Sequence, residues 1–137
     1  MLDFSGLNYV AILLVWILYL AVGAFWYSPA GFAKKWTELT GIDILKLPQK
    51  QANAAIMNVA MSAIFQVVAL AVVLNSLDVT NITNAIAVGF LLWLGFTTAT
   101  TVGVTFYSKR DWRFIWLNSS YFLVVMILGS VIFTLWK

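Results

Sequence analysis

Four apolar stretches with no interior charge constrain this chain more than any other feature. They cover about residues 8–28, 53–74, 84–106 and 114–136, and none holds Asp, Glu, Lys or Arg inside it. A helix needs about 20 mostly apolar residues to cross the hydrocarbon of a bilayer, so each stretch is long enough to span. Barrel strands alternate in polarity and last about 10 residues; these runs are continuously apolar, which favours helices. The sequence predicts an all-α integral membrane protein, a left-handed four-helix bundle forming a single transmembrane domain over residues 1–137. The third stretch is the most polar, with Thr97, Thr98, Thr100, Thr101 and Thr105, yet keeps enough apolar side chains to insert.

Composition agrees. Charged residues make up 9% of the chain, against about 25% in a soluble domain, so too few charges exist to cover a water-facing surface. The Met1-Leu2-Asp3-Phe4 start lacks the basic flank of a secretory signal, and the first stretch is expected to remain as a helix. There is no cysteine and no histidine, which removes thiolate chemistry and the commonest neutral-pH base and metal ligand. The acids are Asp3, Glu38, Asp43, Asp78 and Asp111, all outside the apolar stretches. Proton-coupled antiport of the four-helix multidrug kind needs an intramembrane carboxylate and is excluded in its usual form. No enzyme activity, cofactor or metal is expected. The net charge of +3 sits in short runs between apolar stretches, which fits anionic lipid headgroups and not nucleic acid.

The basic residues also set an orientation. Lys34, Lys35, Lys46 and Lys50 fall in the first loop, and Lys109, Arg110 and Arg113 in the third. The second loop has none, and only Lys137 lies on the other side. Positively charged loops stay cytoplasmic, so both termini are expected on the non-cytoplasmic side of a bacterial cell membrane. Trp26, Tyr27, Trp36, Tyr107, Trp112 and Trp116 cluster at the inferred cytoplasmic boundary, and Tyr9 and Trp136 mark the other. Trp16 and Trp93 fall near mid-membrane and are expected to serve packing or lipid contact.

The first loop is long. Ser28-Pro29 predicts a helix start with proline in the first position. Phe32, Trp36 and Leu39 then recur on one face with Lys34, Lys35 and Glu38 on others. This predicts a short amphipathic interfacial helix in the first cytoplasmic loop, stopped by Gly41. Pro48 is expected to begin the second spanning helix.

Polar side chains collect in the cytoplasmic half. Asn58, Ser62 and Gln66 are spaced four apart on one helix face, as are Thr97, Thr101 and Thr105. The last stretch opens with Asn118, Ser119, Ser120 and Tyr121. Hydrogen bonding between helices accounts for such residues, and Gly95, Ala99 and Gly103 form a small-residue ridge suited to close helix approach. The functional alternative is a polar pocket open to the cytoplasm, lined by Asn58, Ser62, Gln66, Thr101, Asn118 and Tyr121. Lys34, Lys35, Lys109, Arg110 and Arg113 are candidate contacts to lipid headgroups.

Two stretches carry a family resemblance. One is Trp26-Tyr27-Ser28-Pro29 followed by Phe32 and Trp36; the other is Trp112, Phe114, Asn118 and Tyr121. Together they resemble the membrane family catalogued as domain of unknown function 1761, whose members often have Phe-Gly where this chain has Phe32-Ala33. The resemblance implies four spans and a long first loop over nearly the whole chain, and implies no activity. The sequence therefore predicts a multi-pass, non-enzymatic structural or interaction protein that associates with lipids or with a membrane partner, either a second copy or another membrane protein. The alternative is a small transporter or ligand-binding protein using the polar pocket.

Overall fold

A computed structural model describes residues 1–136. Lys137, the one cation expected on the far side, lies outside the described residues. The elements are α1 (Tyr9–Trp26), α2 (Ala33–Thr40), a 3₁₀ turn at Ile44–Lys46, α3 (Gln49–Ser76), α4 (Ile82–Leu92), a π-helical segment (Trp93–Thr98), α5 (Ala99–Tyr107) and α6 (Arg113–Leu135). Among the described residues there is no strand. Helices α1, α3, the continuous run Ile82–Tyr107, and α6 are each long and apolar enough to cross a membrane. The chain is an all-helical bundle of membrane-spanning character, as the apolar stretches predict. The basic end of the bundle bears the first and third loops; the far end is its opposite.

Local signals explain the helix boundaries. Asn8 caps α1 by accepting from the Ala11 N–H at 3.0 Å, and Asn81 caps α4 by accepting from the Asn84 N–H at 2.8 Å. An Asn side chain in that place satisfies a donor that the first helical turn leaves free. Pro48, extended at ψ 140°, stands just before α3, which starts at Gln49. With 28 residues, α3 is about 42 Å long and outreaches a hydrocarbon core of about 30 Å. Helices α3 and α5 end in the same turn. Val79 N–H returns to the Leu74 carbonyl over Asp78 (φ 46°), and Arg110 N–H returns to the Thr105 carbonyl over Lys109 (φ 53°). Glycine is the usual occupant of that left-handed position; neither turn has one.

Helix α6 is the centre of the bundle, packed on α1, α3 and the third spanning run. The main core lies toward the far end and joins Val15 and Tyr19 of α1, Val67 and Leu70 of α3, Ala85 of α4 and Val125 of α6. Close helix approach occurs there too. A Cβ on Gly129 would meet Val15 at 3.0 Å and Leu70 at 3.2 Å, and one on Gly89 would meet Ser130 Oγ at 2.5 Å. The small-residue ridge expected to do this does not: Gly95 and Gly103 have nothing within 4 Å of a built Cβ, and Ala99 is exposed. The π segment gives the reason. It adds a residue to the helical repeat and rotates the helix beyond it, with Gly103, by about 100°; Trp93, where the segment begins, faces α6. The Trp93 indole N–H donates to the Ser119 carbonyl at 2.7 Å.

The first loop departs from expectation at its start. Ser28 is not a helix cap. Its hydroxyl donates to the Phe25 carbonyl at 2.7 Å, and its Oγ accepts from the Gly31 N–H at 3.3 Å. Residues 28–32 form turns, and α2 begins only at Ala33. Gly31 explains the delay: a Cβ there would run into the carbonyl oxygens of Phe25 and Trp26, so the chain folds back tightly on the end of α1 before it can turn helical. The amphipathic helix itself forms as expected. Leu39 is buried against Phe114 and Leu117 of α6, and Gly41 ends the helix in the left-handed region at φ 73°.

Candidate functional site

The two motifs that carry the family resemblance meet at the basic end. Trp26, closing α1, has its ring 4.8 Å from Phe32, and Tyr27 lies 5.2 Å from Trp36 in an edge-to-face arrangement. Trp36 then lies 5.2 Å from Phe114, and Tyr121 reaches both Trp26 (6.3 Å) and Tyr27 (5.8 Å). Tilted and edge-on aromatic pairs at such distances add to their burial energy. The Trp26 indole N–H donates to the Leu117 carbonyl at 3.2 Å, and the Tyr27 hydroxyl to Asn118 Oδ1 at 3.4 Å. A tight turn, a surface helix and the start of α6 are thus held as one cluster. The Trp36 indole N–H, by contrast, is buried without a partner among the described residues.

The six residues expected to line one pocket divide into three places. Tyr121 is buried in the core, its hydroxyl donating to the Tyr19 carbonyl at 2.8 Å. Thr101 and Asn118 share a groove of about 290 Å³ between α5 and α6 at the basic end. Thr100, Val104, Thr105, Ser108, Arg110 and Phe114 also line it. Asn58, Ser62 and Gln66 lie on none of these surfaces. They are exposed on α3, whose residues 53–59 are exposed without exception. Asn58 Nδ2 donates to the Ala54 carbonyl at 2.8 Å and Ser62 to the Val59 carbonyl at 3.0 Å. The spacing rule identifies a shared helix face correctly; it cannot tell an inward face from an outward one.

The threonines explain their own tolerance of an apolar setting. Thr101 donates to the Thr97 carbonyl at 2.8 Å and Thr105 to the Thr101 carbonyl at 2.6 Å. A hydroxyl that returns its proton to the preceding helical turn needs no water and no other helix. Trp16 and Trp93, expected near mid-membrane, are likewise satisfied. Trp16 donates to the Ala60 carbonyl at 2.9 Å, and Trp93 to the Ser119 carbonyl.

The candidate headgroup cations are not equivalent. Lys35 pairs with Glu38 at 3.3 Å and Arg113 with Asp111 at 2.7 Å. Arg113, through its side chain and then its backbone N–H, holds the Asp111 carboxyl well below its ordinary value, at about 2. The same pairing raises Arg113. Lys34 and Lys109 are exposed. Arg110 lies with its guanidinium 5.0 Å from the centre of the Phe114 ring. Its place in the groove, beside Thr105, Ser108 and Asn118, has no signature in the sequence, where only its charge is visible. Among the described residues no three of His, Cys, Asp and Glu come together as a metal site would require.

A profile of the family described as "Protein of unknown function (DUF1761)" matches residues 10–134. No curated protein and no solved structure matches the chain.

Proposed function

The chain belongs to the DUF1761 family of proteins of unknown function, and from that premise we propose that it is a non-enzymatic interaction protein of a bacterial cytoplasmic membrane. It crosses the bilayer four times with both termini outside the cytoplasm, and it associates with a second copy of itself and with lipids.

One observation carries this reading: residues 53–59 of α3, toward the basic end, are all exposed, and Asn58, Ser62 and Gln66 lie in line on an exposed face of that helix. Among the described residues the Gln66 amide makes no hydrogen bond. An unpaired amide in hydrocarbon costs several kcal/mol, and another helix is the natural source of partners. Hydrogen bonds between membrane helices average about 0.6 kcal/mol, so three in a row with close packing make a specific if modest contact. The uncovered Gly95, Ala99 and Gly103 ridge supplies a complementary smooth face at similar depth. Counting along the helices, Ser62 lies about 20 Å from Asn75 and Gly95 about 21 Å from Asn81. Support for a non-enzymatic role is chemical: the acids lie outside the spanning helices, and Glu38, Asp43 and Asp111 are each engaged by a neighbouring cation.

The absence of native cysteine makes the test direct. Ser62→Cys, oxidised in native membranes, should crosslink to a dimer, as should Ser62→Cys with Gly95→Cys. Ile17→Cys, exposed on α1, should stay monomeric. Monomer from all three, with a single copy in native mass spectrometry, would remove the self-association. Reporter fusions after Lys46, Ser76 and Arg110 test the orientation: the first and last should report cytoplasm and the middle one the opposite side.

A further inference from the structure

We propose that the groove between α5 and α6 binds the phosphate of an anionic phospholipid headgroup, with Arg110, Ser108 and Asn118 as the donors. Few of the polar hydrogens around the groove are free. Thr101 and Thr105 spend theirs on the backbone of their own helix, and Thr100 does the same with the Phe96 carbonyl. Asn118 has its Oδ1 taken by the Tyr27 hydroxyl, which leaves its two amide N–H groups to give. Among the described residues the Ser108 hydroxyl has no partner. Arg110 has no carboxylate partner there either, because Asp111 is engaged by Arg113. The groove therefore offers one full positive charge and neutral donors, and no acid lines it. Such a set fits an anion, and a guanidinium matches phosphate oxygens two at a time.

The backbone holds Arg110 in place. Its N–H closes the turn onto the Thr105 carbonyl, and its side chain is steadied at 5.0 Å from the Phe114 ring. The comparable turn after α3 puts Val79 in the corresponding position, buried against the core. A charged residue at that position turns a packing device into a recognition device. Val104 and Phe114 make the rest of the groove apolar, and Val104 is also exposed, where acyl chains would run. These features favour a lipid over free phosphate.

The site's setting at the membrane surface rests on the proposed four-span placement. Its chemistry is tested separately, in detergent, where topology plays no part. The purified, delipidated protein is titrated with phosphatidylglycerol, phosphatidylcholine and inorganic phosphate, and adducts are read by native mass spectrometry. Phosphatidylglycerol should bind at least about tenfold more tightly than phosphatidylcholine, and Arg110→Gln should remove about that factor. Asn118→Ala should weaken binding by a smaller factor. Lys50→Gln removes the same charge from α3, outside the groove lining, and should leave affinity within about twofold of the parent. Equal losses from Arg110→Gln and Lys50→Gln would mean diffuse attraction and overturn the site. Inorganic phosphate competing as well as the lipid would make it a free-phosphate site and overturn the lipid assignment. If Arg110→Gln does not fold, Ser108→Ala is the substitute, and unchanged affinity in both Ser108→Ala and Asn118→Ala would refute the assignment.

Discussion

The two ends of this bundle solve the same packing problem in opposite ways. At the far end the helices are laced together. Asn75 donates to the Asp3 and Ser5 carbonyls at 3.2 and 2.9 Å, the Asp3 N–H to Ser76 at 2.7 Å, and Asn8 to the Trp136 carbonyl at 3.3 Å. Gly129 and Gly89 bring α6 close to α1, α3 and α4, and the turn after α3 buries Val79. At the basic end α3 stands clear, the glycine ridge is bare, and the corresponding turn presents Arg110. An aromatic cluster built from the first loop and the start of α6 replaces the missing packing. The far half is closely packed, and much of the basic half is left uncovered.

The glycines put this contrast to its hardest test. Gly129→Leu should overpack the far core and cost about 1–3 kcal/mol or more, whereas Gly95→Leu should leave the stability of a single subunit nearly unchanged. Thermal or denaturant unfolding in detergent, followed by circular dichroism, would compare them, and equal losses would erase the distinction. Tyr121→Phe, which deletes the bond to the Tyr19 carbonyl, should cost about 0.5–1.5 kcal/mol in the same measurement. Lys109→Gly should stabilise by up to about 1 kcal/mol, since glycine takes a positive φ without strain; a loss instead would mean that the Lys109 side chain supports the basic end.

The smallest effect concerns pH. The Asp111 pKa is lowered from 3.8 to about 2, so the contribution of its pair with Arg113 is fully present above the higher value and is lost as pH falls through the lower. Parent and Asp111→Asn melting curves should therefore stay parallel from about pH 5 to 8 and draw together only in strong acid. Divergence within the neutral range would show that another group titrates with the pair.

Much of the architecture was legible because hydrocarbon is an undemanding reader. A run such as residues 114–136 becomes a helix whatever its neighbours, since every backbone group must be satisfied within the segment. Gly41 as a helix stop and Leu39 as the buried side of a surface helix followed from local rules as well. Ser28 misled because Gly31 folds the chain back against the carbonyls of Phe25 and Trp26, a contact between parts that no local pattern contains. The pocket residues misled for a related reason. Hydrophobic patterning separates polar from apolar faces, but in a membrane both lipid and protein interior are apolar, so pattern alone does not say which way a polar face looks.

The helices, their number and their apolar character are written along the chain, because burial in hydrocarbon depends on composition segment by segment. Their rotation is not, and packing alone set it. Trp93 packs against α6 where the π segment begins, Gly95 and Gly103 face away, Gln66 on α3 points outward, and the turn at Lys109 brings Arg110 beside Asn118. A few tight contacts between helices fix such rotations, and those contacts join residues far apart in the chain.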